Sequence, residues 1–442
     1  MVPCRSFRTL FWLLLAASLL GALPCLAQEP VADLERLSQD VRTYLPPDPD
    51  RPLLEGAARE ETTARFLKRH FSPWAPDFPL PDAAKARKGW QDLAGSEGLG
   101  ENRRPVPASL RRSWLEAACA APFGEENRCG VVLLPADLRL LPTSRALFEP
   151  LTRDGGGGYP FDQLQNSTLK PGEAVRLLHR TPDGAWAFVA AGTASGWVES
   201  SRVAPADEAF RSRWLAGPYL AVLDDPTALK DETGRFRCLA PLGTLLPRTP
   251  DGAALIPVAD EATGLARGIP VHLPEGSAAP FPLEATPRNL AETANRLVGQ
   301  TYGWGGSFGL RDCSATTRDL FLPFGVWVPR NSGEQAKLPG RDLASLSPVD
   351  REAALMREGV PFATLVHMKG HILLYLGPYE GRPLVLHNFW SLRTRDTGRI
   401  LVGRCAVTTL TPGAERRDLD PEKSLLHRVR RMVFPLEGRD LP

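Results

Sequence analysis

The sequence lacks a strong charge of either sign and lacks cysteine pairs at metal-ligand spacing. Lysine and arginine number 53 against 51 acidic residues, a formal net charge of +2 over 442 residues. Such a balance gives no electrostatic basis for binding nucleic acid or an anionic membrane surface. The seven cysteines include no CxxC pair, which argues against a structural zinc site.

Long apolar runs are also missing, apart from residues 10–23 near the start. That run, about 14 residues, is shorter than the roughly 20 that span a bilayer. Basic residues before it and a small residue at Ala27 are the layout of a secretory signal over residues 1–27. We therefore expect export to the periplasm or cell wall, with no membrane span after cleavage. An uncleaved anchor, or lipidation at Cys25, is the alternative.

The composition is that of a folded chain with several domains. Apolar residues make up 43% and charged residues 24%, which is enough apolar material for packed cores. Proline is about twice as frequent as usual, which favours short strands and turns over helical bundles. At roughly 150 residues per domain, the length predicts about three domains.

Changes in composition and hydrophobic pattern indicate domain boundaries after the predicted signal. Residues 28–130 are proline-rich and predict an N-terminal helical arm, with helices over 31–45 and 109–121. Residues 131–206 and 207–284 consist of short apolar runs cut by Gly, Pro and Asp, which is typical of small β-barrels.

A short repeat supports two related β modules. The string Arg180-Thr-Pro-Asp-Gly-Ala185 recurs as Arg248-Thr-Pro-Asp-Gly-Ala253. In each copy Pro-Asp-Gly predicts a turn between two strands. The strands are predicted over 174–179 and 185–190 in the first copy, and over 244–246 and 254–258 in the second. A chance match in sequence rich in Pro and Gly is the alternative explanation.

Residues 285–442 predict a helix packed on a sheet. Thr286-Pro287 is typical of an N-cap followed by proline at the first helical position. A second helix is predicted after a Gly-rich turn, over 312–321. The segments 371–376 and 383–387 then predict adjacent antiparallel strands, and this order is an α+β layout.

Cys313 is the candidate nucleophile of this domain. It lies at the predicted start of a helix, where free N–H groups and the helix dipole favour a thiolate, and the Gly-rich turn would let a substrate approach the sulfur. A nucleophilic thiol also needs a base, and the base needs an orienting partner. We expect His371 and His387 at the same end of the sheet. His371 would accept the thiol proton and return it to the leaving amine, while His387 would fix its tautomer.

Other arrangements of these residues are open. Cys313 could be a buried thiol beside two unrelated imidazoles, and His367, in a predicted loop, competes as the base. A metal site formed by His367 and His371 lacks a carboxylate at ligand spacing, so we expect no metal. The remaining histidines are interpreted as surface or packing residues; they are His70, His179, His272 and His427.

The other cysteines leave the disulfide pattern open. Five cysteines follow the predicted signal, an odd number that leaves at least one thiol unpaired in an oxidising compartment. Cys119 and Cys129 flank a turn-rich stretch and could form a bridge. Cys238 and Cys405 are either a second bridge or two buried thiols.

A series of short motifs connects these candidates. They are, in order, Tyr302-Gly-Trp-Gly-Gly306, Asp312-Cys-Ser314, Val328-Pro-Arg-Asn-Ser-Gly-Glu-Gln335, Gly370-His-Ile372 and Leu386-His-Asn388. The series resembles the NlpC-type family of papain-like cell-wall cysteine peptidases. Upstream motifs resemble the bacterial SH3-like modules fused to one branch of that family; they are Leu138-Arg-Leu-Leu-Pro-Thr143, Tyr159-Pro-Phe-Asp-Gln-Leu-Gln-Asn166, Asp183-Gly-Ala-Trp186 and Ser195-Gly-Trp197.

The resemblance implies cleavage of the amide between γ-D-glutamate and a diamino acid, usually diaminopimelate, in peptidoglycan stem peptides. It implies Cys313 as the nucleophile, His371 as the base and His387 as the third member. The matching positions near substrate are Tyr302, Asp312, Ser314 and Ser332. Neither a metal nor an organic cofactor is implied.

Individual residues of these motifs carry more than one interpretation. The resemblance gives Asp312 contact with the amine of a terminal L-Ala, while its position equally suits a helix cap; it could do both. Arg330 is interpreted as a surface ion pair rather than a substrate contact. Trp304 is interpreted as packing under its turn.

One departure bears on the form of the substrate. Peptide-recycling relatives carry a tyrosine before the Gly-Trp of the first barrel, where this chain has the small residues of 192–195. A more open groove would admit intact peptidoglycan. A mobile loop at residues 155–158 near that groove, or a simple flexible turn, is also predicted.

We therefore expect a monomeric, multi-domain protein with a helical N-terminal arm, two all-β SH3-like barrels and a C-terminal α+β papain-like peptidase domain over 285–442. Its partner would be peptidoglycan, with intact wall as the substrate. The alternatives are a recycling enzyme for free stem peptides that start with L-Ala, and a catalytically silent wall-binding protein. A related acyltransferase or lipid-amide hydrolase is a further alternative.

Overall fold

The computed structural model describes residues 31–152, 157–396 and 398–437. The predicted signal over residues 1–27, with Cys25, lies outside the described residues, as does part of the predicted loop at 155–158. Among the helices of the described residues, none combines the length and the apolar character that crossing a membrane requires.

Short helices make up the N-terminal region: α1 (Ala32–Arg36), α2 (Gly56–His70), α3 (Ala83–Gly95) and α4 (Ala108–Cys119). The single helix predicted over 31–45 is wrong. Leu37 is extended, and the Asp40 side chain accepts a hydrogen bond from the Arg42 N–H, so a separate 3₁₀ turn starts at Val41. Asp competes with helical hydrogen bonds in this way wherever its carboxylate can reach a free N–H.

The N-terminal region packs on every other part of the molecule. Val41 lies in the core of the C-terminal domain beside Leu290, and Trp90 and Trp114 lie in one cluster with Trp197 of the first β domain. The Thr409 N–H and hydroxyl both donate to Asp33 at 2.8 Å. The N-terminal region thus shares hydrophobic clusters with both the C-terminal domain and the first β domain.

The first β domain is one antiparallel sheet in the strand order β3-β2-β6-β5-β4-β1-β7. Its strands are β1 (Arg128–Val132), β2 (Ala136–Arg139), β3 (Gln165–Leu169), β4 (Ala174–Arg180), β5 (Trp186–Ala191), β6 (Ser195–Glu199) and β7 (Val203–Pro205). The predicted hairpin forms between β4 and β5, with Val175 opposite Ala191.

The second β domain follows helix α5 (Glu208–Leu215) and holds two small sheets, ordered β10-β9-β13-β12 and β11-β8-β14. Its strands are β8 (Tyr219–Val222), β9 (Thr227–Asp231), β10 (Phe236–Ala240), β11 (Leu245–Pro247), β12 (Ala254–Ala259), β13 (Ala266–His272) and β14 (Ala278–Phe281).

The repeated string forms the same turn in both β domains. Gly184 and Gly252 have φ angles of 70° and 93°, and each N–H donates to the threonine three residues earlier. The flanking strands differ, however. β4 pairs with β5, whereas β11 and β12 belong to different sheets and are joined by a bridge from Arg248 to Ala254. The repeat predicts the turn, and the longer strand pairing depends on the rest of each domain.

The C-terminal domain packs helices on a six-stranded antiparallel sheet, ordered β15-β20-β16-β17-β18-β19. Its helices are α6 (Pro287–Asn295), α7 (Cys313–Phe321), α8 (Ser332–Gln335), α9 (Pro348–Glu358) and α10 (Leu425–Arg428). Its strands are β15 (Gly340–Asp342), β16 (Leu365–Met368), β17 (His371–Tyr379), β18 (Arg382–Arg393), β19 (Arg399–Thr409) and β20 (Val429–Val433). Both predicted helices and both predicted strands form.

Buried ion pairs fix α7 against the two β domains. Asp319 of α7 accepts Lys170 at 2.8 Å from the first β domain and Arg311 at 2.8 Å from the preceding loop. Arg311 in turn pairs with Asp225 of the second β domain. Buried charges of this kind are tolerated only as a satisfied set, because a lone member would remain unpaired away from water. The set holds the helix that begins with Cys313 in one position.

Candidate active site

Cys313 is the first residue of α7 and lines a cavity of about 780 Å³. Asp312 is the N-cap, and its carboxylate accepts from the Ala315 N–H at 2.8 Å. Burial, and after it the Asp312 charge, raises the pKa of the Cys313 thiol to about 12. Burial therefore opposes the thiolate that the helix dipole and the N–H donors favour, and the thiolate stays a prediction.

The two predicted histidines meet beside this cavity. Nε2 of His371 lies 2.8 Å from Nδ1 of His387. The pairing of β17 with β18, with Leu374 opposite Leu386, puts both imidazoles at one end of the sheet as predicted. His371 lines the cavity with Cys313, and the N–H of the next residue, Ile372, is directed at the Cys313 sulfur. His387 lies buried behind His371.

Thr408 on β19 determines which nitrogens carry hydrogen. Its Oγ1 lies 3.0 Å from Nε2 of His387 and donates its own proton to the Thr409 carbonyl at 2.7 Å. Oγ1 is then left to accept, so His387 carries its proton on Nε2 and accepts at Nδ1. His371 must therefore donate from Nε2, which leaves its Nδ1 with a lone pair. This assignment makes Nδ1 of His371 the basic nitrogen.

Both imidazoles are neutral in the resting site. Burial, followed by the Arg428 charge, lowers the pKa of His371 to about 3. Burial and the neighbouring His371 hold the pKa of His387 well below its ordinary value. The Phe389 ring stacks on His387 with 4.0 Å between centroids. A neutral thiol can pass its proton directly to a neutral imidazole, so no proton has to enter the site from solvent.

Arg330 is buried, so its interpretation as a surface ion pair is wrong. Its guanidinium donates to both Asp312 oxygens, at 3.1 and 2.8 Å, and its Nε donates to Ser167 of the first β domain. Burial alone would raise the pKa of Asp312, but Arg330 and the surrounding donors hold it below the ordinary value. Asp312 is thus a helix cap and half of a buried pair, and it also lines the cavity.

The other predicted site residues line the same cavity: Tyr302, Ser314 and Ser332. Burial, then the charges of Cys313 and Asp312, raises the pKa of Tyr302, so its hydroxyl keeps its proton. The Ser314 hydroxyl donates to Asp312 at 3.1 Å, and Ser332 begins α8. Tyr302 and Ser332 thus reach the cavity from outside α7, while Ser314 follows Cys313 on that helix.

The Gly-rich turn before α7 docks on the first β domain. Gly305 and Gly306 have φ angles of 61° and 90°, and a Cβ on either would lie under 3 Å from Gln165 or Thr168 of β3. Gly305 also lines the cavity, and the predicted role of this turn in substrate approach stays a prediction. Trp304 is also not simply packed, since it is 38% exposed, lines the cavity and donates to the Asp162 carbonyl.

The small-residue segment 192–195 does not reach the cavity wall among the described residues. Gly192 instead packs against the Arg69 carbonyl and Trp327. The more open groove expected from these small residues stays a prediction. The first β domain contributes other residues to the wall: Leu140, Glu149, Phe161, Asp162, Gln163, Gln165 and Asn166.

Of the remaining candidates, His427 is exposed and lines the cavity, while the others among the described residues do not. His367 is part of strand β16, not a loop, and pairs with Ile372. His70 and His179 are buried packing residues. All five described cysteines are free thiols, so neither suggested disulfide forms. In the described ranges, His, Cys, Asp and Glu form no group of three able to hold a metal ion.

Four family models match successive parts of the chain. The "NLPC_P60 stabilising domain, N term" matches residues 7–123 and the "SH3 domain (SH3b1 type)" matches 147–199. The "SH3 domain of SH3b2 type" matches 207–251, and the "NlpC/P60 family" model matches 299–393. The last match contains Cys313, His371 and His387. No curated protein matches the chain.

Solved structures that are similar to this chain include two proteins with NlpC/P60 in their descriptions. An NlpC/P60 endopeptidase from Photobacterium damselae subsp. piscicida superposes with a TM-score of 0.81 and 25% identity, covering 90% of this chain and 97% of its own. An NLPC/P60 family protein from Bacillus cereus ATCC 10987 has a TM-score of 0.49 and 15% identity, with 70% of this chain and 99% of its own covered.

The C-terminal domain packs helices on a sheet and carries a thiol on a helix beside a pair of imidazoles. Two SH3-like β domains precede it. This combination defines a cysteine peptidase with accessory SH3 domains. The chain carries an NlpC/P60 domain over residues 299–393 and the N-terminal stabilising domain of that family over residues 7–123. It is an endopeptidase of that family and, in general terms, a peptidoglycan hydrolase.

Thr408 and Arg330 are the functional residues that sequence reasoning missed. β19 was not predicted, so nothing in the sequence connected Thr408 with His387, 21 positions earlier. Arg330 did stand in a quoted motif, Val328-Pro-Arg330, two residues before the helix that carries Gln335. The signal that could have revealed its role is Asp312, because a carboxylate that becomes buried needs a cation as its partner.

Proposed function

We propose that this protein hydrolyses the amide between γ-D-glutamate and a diamino acid in peptidoglycan stem peptides, with Cys313 as nucleophile, His371 as base and His387 as the orienting residue. The observation that carries the proposal is the hydrogen-bonded pair of His371 and His387 in the wall of the cavity that holds Cys313. The division of the chain at residues 131, 207 and 285 belongs to the same proposal.

In the acylation step, Nδ1 of His371 takes the thiol proton as the sulfur attacks the amide carbon. The resulting oxyanion is held by the Cys313 N–H and the Tyr302 hydroxyl, which stays protonated because burial raises its pKa. Collapse breaks the carbon–nitrogen bond, and His371 gives its proton to the leaving amine. A thioester between Cys313 and the γ-glutamyl carbon remains.

In the deacylation step, water takes the place of the amine. His371 removes a proton from it, the hydroxide attacks the thioester, and the carbon–sulfur bond breaks. The proton returns to the sulfur, so the site ends as a neutral thiol and a neutral imidazole. Because burial lowers the pKa of His371, its imidazole begins each of the two steps unprotonated at neutral pH.

Intact wall is the proposed form of the substrate. In a free stem peptide the L-Ala amine is charged and needs an unbalanced carboxylate. Asp312, the candidate partner, already accepts both Arg330 bonds together with the Ala315 and Gly305 N–H groups. This balanced pair presents little net negative charge, which favours an acylated L-Ala as found in the intact wall. Export to the wall is part of the proposal.

The test compares the two forms of substrate. Purified sacculi and free tripeptide are digested in parallel, and new termini are identified by mass spectrometry. We expect release of diaminopimelate-containing fragments with new γ-D-glutamyl carboxylates, faster from sacculi, and none from the Cys313→Ala variant. Faster cleavage of free tripeptide would support the recycling alternative. No cleavage of either would support the silent wall-binding alternative.

A further inference from the structure

The outer edge of β19 is where the N-terminal region comes nearest to the histidine pair. β19 is the last strand of its sheet, so β18 pairs with one side of it and the other side is an edge. Edge strands present unpaired N–H and C=O groups, and strand ends fray most readily. β19 ends at Thr409, and Thr408, the acceptor for His387, is its next-to-last residue. A fixed proton arrangement at the histidines therefore requires that this end of the strand be held.

Most of the outer edge is covered before its last residue. The Cys405 N–H donates to the Gln300 carbonyl at 2.9 Å, and the Gly299 N–H donates to the Cys405 carbonyl at 2.8 Å. Further along, the Gln39 side chain accepts from the Val407 N–H at 2.9 Å and donates to the Val407 carbonyl at 3.2 Å. The side-chain amide of Gln39 thus bonds to the strand as a neighbouring peptide group would.

Asp33 covers the last residue of the strand. Its Oδ2 accepts from the Thr409 N–H and from the Thr409 hydroxyl, both at 2.8 Å. Hydrogen bonds to a carboxylate are stronger than those between neutral groups, and Thr409 is buried. Asp33 is itself held in place by α1, whose first residue, Ala32, donates its N–H to Glu415 at 2.7 Å. A carboxylate of the N-terminal region therefore fixes the end of β19.

The contacts at Asp33 continue into the hydrogen bonds of the two histidines. The Thr409 carbonyl accepts from the Thr408 hydroxyl at 2.7 Å, and that hydroxyl lies 3.0 Å from Nε2 of His387. If Thr409 turned away, the Thr408 hydroxyl would be able to donate to His387 instead. His387 would then carry its proton on Nδ1 and donate to Nε2 of His371. His371 would be left with its proton on Nδ1, where no lone pair could accept the thiol proton.

We propose that Asp33 is a positioning residue of the peptidase. By holding Thr409 at the end of β19, it keeps the Thr408 hydroxyl in the orientation that leaves a lone pair on Nδ1 of His371. This inference rests on the proposed function of the site. It assigns the N-terminal region an effect on the rate of the chemical step, in addition to its contacts with the other domains.

The kinetic test measures kcat and KM on N-acetyl-L-Ala-γ-D-Glu-meso-diaminopimelate for Asp33→Ala, Thr408→Val and the double variant. We expect Asp33→Ala to lower kcat about fivefold with KM nearly unchanged, because Asp33 acts on the base and not on substrate binding. In the Thr408→Val background, Asp33→Ala should lower kcat by less than about twofold further, because the hydroxyl through which Asp33 acts is absent. Asp33→Asn keeps the shape and an acceptor oxygen without the charge, and should lower kcat only about twofold.

Nitrogen NMR of labelled histidines gives a second readout that needs no turnover. In the native protein, both His387 and His371 should carry their protons on Nε2, and Asp33→Ala should give a mixture of tautomers at both rings. Denaturant titration shows whether each variant is folded. Asp50→Ala is the matched control, because it removes an exposed carboxylate of the same N-terminal region that pairs with Arg288 of α6. It should change neither kcat nor the tautomers.

A folded Asp33→Ala variant with native kcat and native tautomers would overturn the inference. An equal fold-loss from Asp33→Ala with threonine and with valine at position 408 would also overturn it, because the effect would then not pass through the hydroxyl. If Asp33→Ala does not fold, the same comparisons with Asp33→Asn decide. Failure of the proposed function is a separate result, in which the native protein leaves the substrate uncleaved while the NMR comparison still reports on Asp33.

Discussion

At the residue scale, the site depends on a chain of hydrogen bonds that starts at a threonine. The Thr409 carbonyl fixes the Thr408 proton, Thr408 fixes the protonated nitrogen of His387, and His387 fixes that of His371. Threonine here does what a carboxylate does in other triads, but without adding charge. A neutral chain suits this site, because burial already holds both imidazoles neutral.

Replacing Thr408 by valine should disturb this chain with little change in shape. The variant leaves Nε2 of His387 without its acceptor, so the required tautomer loses its preference. We expect kcat to fall about tenfold with KM nearly unchanged, since the effect acts through the base and not on substrate binding. Thr408→Ser, which restores the hydroxyl, should recover most of the rate. If serine does not recover it, Thr408 acts only through packing.

Some residues of the site could be predicted from the sequence, and others could not. Cys313 and the two histidines were accessible, because motif order and strand alternation both pointed to them. The protonation state of Cys313 was not, since it depends on burial that only the folded chain shows. The buried role of Arg330 was missed for the same reason, because its partners come from α7 and from the first β domain.

At the element scale, the turn before α7 connects the site to the first β domain. The turn Trp304–Gly309 docks on β3, and the Gly305 N–H donates to Asp312, the cap of α7. Local patterns predicted α7, its cap and both strands of the histidine pair. They could not show that the glycines face a neighbouring domain, because that contact joins positions far apart in sequence.

Gly305→Ala should therefore harm both stability and activity. Its Cβ would lie 2.6 Å from the Gln165 carbonyl oxygen, in addition to the strain of a φ of 61°. We expect a loss of about 2–3 kcal/mol in unfolding free energy, measured by denaturant titration. Gly309→Ala is the matched control, because it has a φ of 70° but open space around its Cβ. It should lose only about 1 kcal/mol. Equal losses would show that the docking contact does not matter.

At the scale of the whole molecule, buried polar groups hold the domains together. Asp319, Lys170, Arg311 and Asp225 join α7 to both β domains, and His70 and His179 lie in the clusters through which the N-terminal region packs. The pattern of the sequence predicted the order of a helical region, two β domains and an α+β domain. The sequence could not predict which charged residues pair between the domains, because a net charge of +2 for the whole chain says nothing about local ion pairs.

The buried histidines predict how stability depends on pH. Burial is the largest cause that lowers the pKa of His70 to about 3 and of His179 to about 4, against 6.5 in the unfolded chain. Between pH 6.5 and 4 the unfolded state binds protons that the folded state does not, so stability falls as pH falls. We expect Tm to drop steadily from pH 7 to pH 5, and His70→Phe to reduce that slope. A Tm that stays constant over this range would contradict the prediction.

The central claim is that Cys313, His371 and His387 act as one catalytic unit on the γ-D-glutamyl bond. The most direct measurement is the rate of release of diaminopimelate-containing fragments from purified sacculi by the native protein and by alanine variants of these three residues. Release should vanish with Cys313→Ala and His371→Ala, and fall about 100-fold or more with His387→Ala. Native rates in either of the first two variants, with the fold intact, would contradict the account.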